Sequence, residues 1–148
     1  MAEVRVSAII RRSKGLVRET LMRVDEFPKF LKDLRAVSIV TSDGGKIISD
    51  WKIDIEGTPI EWRQESAFDE RDRDAIVFKM IEGDYEEYEG RWYLKELSKD
   101  ATLVELYAEF KWGVPGLERF VGDILQEKAC RSLKGMLYAL RKRLHKVN

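Results

Sequence analysis

The stretch that decides the fold is residues 85–112, YEEYEGRWYLKELSKDATLVELYAEFKW. Within residues 85–97, and again within residues 102–112, bulky apolar side chains alternate with polar ones, which is the period of a β-strand with one buried face. The polar residues 98–100, Ser-Lys-Asp, separate the two runs and are typical of a turn. The stretch therefore predicts two long strands joined as an antiparallel hairpin.

A long amphipathic helix is predicted directly after this hairpin. Residues 113–116, GVPG, end the second strand, because glycine and proline interrupt regular structure. From there to about Lys146, apolar residues recur at intervals of three and four, and polar residues occupy the opposite face. The apolar stripe contains Leu117, Phe120, Val121, Ile124, Leu125, Ala129, Leu133, Met136, Leu137, Leu140 and Leu144. Such a helix has to bury its stripe, and the inner face of the sheet is the available surface.

The residues before the hairpin extend the same sheet. A half-buried strand is expected at residues 3–11, followed by a helix with Ser13 as its N-cap and a second short helix opened by Phe27-Pro28. Four further strands follow, at residues 36–41, 46–56, 60–68 and 75–81. The order β-α-α-β6-α, with hairpin connections, predicts an α+β fold in which a curved antiparallel sheet wraps around the long C-terminal helix. Residues 1–148 are expected to form a single domain.

The composition limits the classes of function. The 148 residues contain 27 Lys or Arg and 27 Asp or Glu, so the neutral chain has no general attraction for nucleic acid. Cys130 is the single cysteine and His145 the single histidine, which excludes an intrachain disulfide and argues against a metal centre or a Ser-His-Asp triad. No secretory signal or membrane span is evident, and a cytoplasmic location is expected. No cofactor or metal is predicted.

Five short segments resemble one protein superfamily. They are Phe27-Pro28-Lys29-Phe30-Leu31, Gly83-Asp84-Tyr85, Tyr88-Glu89-Gly90-Arg91-Trp92, Ser98-Lys99-Asp100 and the alternating run from Thr102 to Phe110. In this order they resemble the helix-grip fold of the START-like (SRPBCC) superfamily, in its polyketide cyclase/dehydrase and coenzyme Q-binding protein group. The resemblance implies a deep cavity between sheet and helix, which in the superfamily holds lipids, sterols, quinones, polyketides or plant hormones. Some members catalyse ring closure or dehydration, and many act only as carriers.

The candidate pocket residues lie on the inferred inner faces of successive strands and on the helix stripe. Large rings with polar edges suit a wall that is apolar and can still hydrogen-bond a ligand, so pocket lining is favoured for Trp62, Phe78 and Trp92. Core packing is favoured for Phe110 and Trp112. The full candidate set is Trp51, Ile53, Trp62, Gln64, Phe78, Met80, Tyr88, Trp92, Leu106, Leu125, Leu133 and Leu137.

Two positions on these faces, Gln64 and Gly90, have more than one interpretation. Gln64 is equally consistent with an amide whose hydrogen bonds are satisfied in the core and with a ligand contact; Ser49 and Ser66 are weaker versions of the same case. Gly90 interrupts a bulky face, which favours a bend or bulge in the sheet, and it also leaves space for a ligand.

The predicted function is binding or transport of a small hydrophobic molecule such as a lipid, quinone, isoprenoid or polyketide-like compound. The alternative is an aromatase-type polyketide cyclase/dehydrase. The inner faces show no carboxylate, and only Tyr88 and Tyr138 offer a hydroxyl donor, so no catalytic residue is assigned and a dedicated enzyme is less favoured. Cys130 is expected to be an inert small apolar residue.

The basic run at residues 141–146 has three interpretations. Positive charge is favourable at a helix C-terminus, and this interpretation comes first. The alternatives are an interaction module that makes a transient membrane-surface contact for ligand uptake, and an RNA contact, since the superfamily includes a ribosome-associated toxin-like branch. Nucleic acid is less favoured because no basic stripe occurs elsewhere. The oligomeric state is left open.

Overall fold

The computed structural model describes residues 2–55, 57–69, 71–72, 74–112 and 117–146, with the backbone alone at residues 2, 55, 58, 112, 117–123 and 125. Three helices and seven strands occur in the described chain. In order they are β1 (Ala2–Ile10), α1 (Lys14–Met22), a 3-10 helix (Val24–Lys29), β2 (Leu34–Asp43), β3 (Lys46–Ile55), β4 (Thr58–Phe68), β5 (Ala75–Gly83), β6 (Tyr85–Ser98), β7 (Ala101–Trp112) and α2 (Leu117–Lys146).

The seven strands form one antiparallel sheet in the order β1-β7-β6-β5-β4-β3-β2. Each strand from β2 to β7 pairs with its neighbour in sequence, and the N-terminal strand closes the order beside the last one. The alternation in the sequence matches this arrangement: in β1, Val4, Val6, Ala8 and Ile10 are buried. The predicted helix-grip fold is confirmed.

Helix α2 lies across the inner face and packs chiefly on β1, with fewer contacts to β7 and β3. Its stripe is most tightly buried near the C-terminal end, where Leu137, Leu140 and Leu144 are at most 1% exposed. Burial of one such leucine side chain stabilises the folded state by about 2 kcal/mol. This end of α2 is also hydrogen-bonded to the β1–α1 connection: the Arg11 N–H donates to His145 Nε2 at 3.0 Å, and Arg12 Nη2 donates to the His145 carbonyl at 3.1 Å.

The second short helix is present, but its predicted boundaries were wrong. It is a 3-10 helix that begins at Val24 and contains Pro28, and the Phe30 N–H closes it by donating to the Phe27 carbonyl at 3.1 Å. Proline has no N–H for an α-helical ladder and disfavours the α conformation in the residue before it, so the turn stays short. The expected apolar helix face therefore belongs partly to the turn at residues 30–33 and to the start of β2, where Leu31 and Leu34 are buried.

The sheet opens between β5 and β6 near the tip of their hairpin. The two strands pair from Ala75↔Tyr93 to Lys79↔Glu89. Beyond Lys79, the end of β5 pairs only with β4, and the start of β6 pairs only with β7. Two tyrosines of this opened start of β6, Tyr85 and Tyr88, pack among the aromatic rings of the interior.

Candidate ligand-binding site

The structure brings most of the predicted pocket residues together between the sheet and α2. Leu125 lies outside the described side chains. Met80 is half-buried, Leu137 is fully buried in the core, and neither borders the spaces described next. The other nine surround two adjoining spaces; they are Trp51, Ile53, Trp62, Gln64, Phe78, Tyr88, Trp92, Leu106 and Leu133.

These two spaces, the inner voids, are small, at about 20 Å³ each. The first is lined by Phe27, Trp51, Trp62, Gln64, Phe78, Tyr88, Trp92, Leu106, Leu133 and Met136. The second is lined by Ile53, Trp62, Tyr85, Tyr88, Phe110, Ala129, Ser132, Leu133 and Met136. Sites for small molecules usually measure roughly 300–1,000 Å³. The deep cavity implied by the resemblance is therefore not open in this conformation.

Aromatic rings fill the space where such a cavity is expected. Trp51 and Trp62 stack with their ring centres 5.6 Å apart, and Tyr85 and Tyr88 stack at 5.0 Å. Trp62 meets Tyr88 edge-on at 5.3 Å, and Phe27 meets Trp51 edge-on at 5.9 Å. Each such pair stabilises the folded state by about 1 kcal/mol beyond the contribution from burying its rings. Phe27 and Tyr85 also form part of this wall. They were not among the predicted pocket residues, because both come from segments whose approach to the interior depends on tertiary packing.

The tryptophan indoles on this wall are hydrogen-bonded within the sheet. Trp62 Nε1 donates to Gln64 Oε1 at 2.8 Å, and Gln64 Nε2 donates to Ser66 Oγ at 3.0 Å. Trp51 Nε1 donates to Ser49 Oγ at 2.8 Å. Alternate residues of one strand share a face, which is why these groups meet. The structure thus agrees with the first alternative for Gln64, an amide satisfied in the core.

The two inner tyrosines, Tyr85 and Tyr88, are neutral phenols. Burial raises the pKa of both Tyr85 and Tyr88 well above the ordinary value of 10.0, and the neighbouring Tyr88 and Asp84 raise that of Tyr85 further. In the described chain, no hydrogen bond involves the Tyr88 hydroxyl. Both phenols are therefore neutral at pH 7, and Tyr88 has a donor available for a ligand. The other predicted donor, Tyr138, is on the exposed side of α2, 42% accessible and stacked beneath Arg141.

A larger space, the side groove, adjoins the inner voids on the flank of the molecule. It has a volume of about 310 Å³ and lies between residues 30–34, β3 and α2. Its walls are Phe30, Leu31, Lys32, Asp33, Leu34, Ile53, Ser132, Gly135, Met136, Ala139 and Lys142. A side chain at Gly135 would meet no atom within 4 Å, so the helix surface is open there. The groove was not predicted; the two small residues three apart on α2, Ser132 and Gly135, are the sequence feature that could have indicated it.

The side groove and the inner voids share wall residues. Ile53, Ser132 and Met136 line both the groove and the second void, and Met136 also lines the first. Met136 is therefore the residue common to all three spaces. A methionine has three rotatable side-chain bonds and adapts readily to different packing.

Gly90 is explained by close packing, and the predicted bulge is not present at this position. It pairs in register with Phe78 and Ala108, and the register shifts of β6 lie elsewhere. A Cβ at position 90 would lie 2.1 Å from the Tyr107 carbonyl oxygen and 2.7 Å from the Phe78 ring. The space left by the missing side chain is therefore filled by protein atoms.

The outer face of the sheet carries two wider depressions of about 460 Å³ each, and about half of the residues that border each of them are charged. Their charged residues include Glu65, Lys79, Glu89, Arg91 and Glu109 in one, and Asp50, Lys52, Glu61, Arg63, Glu82 and Asp84 in the other. Several of these charges are already paired, as in Arg63 with Asp50 at 2.7 Å. Volume alone would favour these depressions, but five or six charged side chains border each of them, against three in the side groove, so the side groove suits an apolar ligand better.

Comparison with known proteins places the chain in a family. The model of the family "Polyketide cyclase / dehydrase and lipid transport" matches residues 19–136. The chain belongs to this family. Membership supports a ligand-binding or cyclase role for the protein. No curated protein sequence matches it, and no described helix is long and apolar enough to cross a membrane.

Solved structures with the same fold include three that match nearly the whole chain. The protein TTHA0849 from Thermus thermophilus is 22% identical, with a TM-score of 0.89 and 97% of each chain covered. The Zhui aromatase/cyclase from Streptomyces sp. R1128 is 18% identical, with a TM-score of 0.87, covering 97% of this chain and 93% of its own. A START superfamily protein from Mycobacterium smegmatis is 18% identical, with a TM-score of 0.81 and full coverage of both chains. At these identities the likeness establishes the fold alone.

Proposed function

We propose that the protein binds a small hydrophobic molecule in a pocket made from the side groove and the inner voids. The observation that carries this proposal is the shared wall at Met136, which separates an open groove of about 310 Å³ from two voids deeper in the molecule. The groove alone reaches the lower end of the usual volume range for small-molecule sites. Rotation of Met136 extends it toward the aromatic wall.

The chemistry of the walls favours an apolar ligand. Apart from the indole and phenol edges, the described residues around the inner voids offer only Gln64 and Ser132 as polar side chains, and none is charged. Transfer of apolar surface from water to such walls contributes about 25 cal/mol per Å². Tyr88 supplies one hydrogen bond donor, suited to a carbonyl or ether oxygen of the ligand.

The same walls favour binding over catalysis. A cyclase or dehydratase moves protons, and an effective general acid or base needs a pKa near the working pH. Because burial raises the pKa of Tyr88, its phenol stays protonated and can polarise a carbonyl but cannot act as a base at neutral pH. The described lining residues of the voids include no carboxylate and no imidazole. Retention of a bound molecule requires neither.

The proposal is tested by measuring the affinity for N-phenyl-1-naphthylamine, an apolar dye whose fluorescence rises when it leaves water. Met136→Trp should fill the junction of the three spaces. It should raise the Kd for the dye about tenfold or more, which corresponds to a loss of roughly 1.4 kcal/mol of binding free energy. The matched control is Tyr138→Trp, which places the same ring two residues away on the exposed side of α2. The control should bind dye as the wild type does.

Met136→Ala provides a second measurement if the tryptophan variant folds poorly. It widens the junction and should bind the dye at least as tightly as the wild type. Organic extraction of the purified protein, followed by mass spectrometry, should also recover a hydrophobic molecule. Absence of dye binding in the wild type, or equal binding by the Met136→Trp and Tyr138→Trp variants, would refute the proposal.

A further inference from the structure

The entrance of the side groove is positively charged. Lys32, on the segment after the 3-10 helix, and Lys142, on α2, line the groove from its two sides, and both are exposed. Arg143 adds a third cation, with its guanidinium 5.9 Å from the centre of the Phe30 ring on the groove wall. Asp33 is the single carboxylate among the described lining residues of the groove.

The two groove lysines are not engaged elsewhere in the described chain. Neither Lys32 nor Lys142 has a carboxylate within 4.0 Å there, including that of the adjacent Asp33, whereas Lys29 nearby pairs with Glu26 at 3.5 Å. Among the described lining residues, two lysines against one carboxylate leave the entrance with a net positive charge, and Arg143 lies beside it. The charge of both lysines is available to an anion that enters the groove.

The interior provides no oppositely charged partner for a charge. The inner voids are lined by apolar side chains and aromatic rings, and their polar groups are the indole edges, the Gln64 amide, the Ser132 hydroxyl and the phenols of Tyr85 and Tyr88, none of them charged; the amide of Gln64 already bonds to Trp62 and Ser66. Burial of an ionised group without a partner costs several kcal/mol. Any charged end of a ligand must therefore stay at the groove entrance while the apolar part goes inward.

We infer that the ligand is an amphiphile with an anionic oxygen head, a carboxylate or a phosphate. Its head lies between Lys32 and Lys142, and its apolar part passes Met136 toward the aromatic wall. This inference rests on the proposed function and adds to it the charge and the direction of the ligand. Exposed charge pairs are weak, so the lysines contribute selectivity and the apolar part contributes most of the affinity.

The test uses amphiphiles of equal chain length to displace N-phenyl-1-naphthylamine at pH 8, below their critical micelle concentrations. Decanoate and decyl phosphate should compete about fivefold to tenfold better than decanol, as two exposed ion pairs allow. Decyltrimethylammonium should compete less well than decanol. Raising the salt from about 50 mM to about 500 mM should shrink the preference for anions, because it shortens the Debye length.

Two double variants identify the groups responsible. In Lys32→Gln/Lys142→Gln, decanoate should fall to the level of decanol. The matched control, Lys128→Gln/Lys134→Gln, removes the same charge from parts of α2 that do not line the groove, and it should keep the full preference. Asp33→Asn should increase the preference, because it removes the opposing carboxylate.

The outcomes separate this inference from the proposed function. If decanol displaces the dye as well as decanoate does, or if the preference survives in Lys32→Gln/Lys142→Gln, the anionic head is refuted while hydrophobic binding stands. Displacement by acetate or inorganic phosphate at the same concentrations would identify a plain anion site and also overturn the inference. If the wild type does not bind the dye at all, the proposed function itself fails.

Discussion

Two regions of the interface between α2 and the sheet are built differently. Toward the C-terminal end of α2, aliphatic side chains such as Leu137, Leu140 and Leu144 are essentially inaccessible, and His145 is hydrogen-bonded to the backbone of Arg11. Around Met136, aromatic rings leave two voids and an open groove. Among its described side chains, α2 is therefore tightly packed toward its C-terminal end and borders open space around Met136. Such an arrangement suits a binding site that opens without unfolding the domain.

The largest effect should come from truncating a side chain toward the C-terminal end of α2. Leu140→Ala removes a side chain that is 1% exposed and should lower the free energy of unfolding by about 2–5 kcal/mol. Met136→Ala, four residues earlier on the same helix, should cost less than half as much, because Met136 is half-buried and already borders open space. Urea unfolding of the two variants measures the difference. Equal losses in the free energy of unfolding of the two variants would contradict the contrast between the two regions.

A substitution with a smaller expected effect tests whether the packing of the sheet is as open as the packing around Met136. Gly90→Ala places a Cβ against the Tyr107 carbonyl and the Phe78 ring and should destabilise the fold by about 1–3 kcal/mol. The control is Gly15→Ala in α1, where a Cβ meets nothing within 4 Å and where alanine favours the helix. Thermal unfolding should show a lower Tm for the first variant and an unchanged or higher Tm for the second. If Gly90→Ala is neutral, the sheet is as adaptable as the helix side.

The hydrogen bonds of the aromatic wall give a third comparison. Trp62→Phe keeps a ring but removes the donor to the buried Gln64 Oε1, which should cost about 1–3 kcal/mol. Trp62→Phe/Gln64→Leu removes both partners and should recover part of this loss. Chemical denaturation of the single and double variants measures the coupling between the two side chains. If the double variant is no more stable than the single one, the bond does not account for the cost.

The smallest effect concerns pH at the C-terminal end of α2. His145 Nε2 accepts the Arg11 N–H, and burial together with Arg11, Arg12 and Arg141 lowers the pKa of His145 below the ordinary 6.5. As the pH falls below 6.5, the unfolded chain takes up a proton that the folded chain resists, so this contribution to stability is present above 6.5 and is lost as the pH falls through the folded pKa.

The wild type should therefore lose slightly more stability than His145→Gln between pH 7 and about pH 5, a window that remains above most carboxylate titrations. Denaturant unfolding at several pH values measures this. Since His145 is the single histidine of the chain, the comparison isolates one group. Parallel pH profiles for the two proteins would show that the hydrogen bond at the end of α2 does not depend on protonation.

Local patterns explain which parts of the site the sequence could predict. Trp62, Gln64 and Ser66 were placed on one face because strand side chains alternate, and Leu133 and Leu137 were placed on one stripe because helix positions recur every three to four residues. These periodicities depend only on neighbours in the chain. They led to the helix-grip fold and to most of the residues around the inner voids.

Tertiary packing decided how much space those residues leave. Phe27 and Tyr85 reach the interior from the 3-10 helix and from the opened start of β6, and their rings fill the volume where the resemblance implied a deep cavity. The side groove exists because residues 30–34 lie opposite Gly135, about a hundred residues later in the chain. The sequence by itself determined which faces are apolar. The distances between those faces, and hence the pocket, depend on contacts between distant segments that no local period contains.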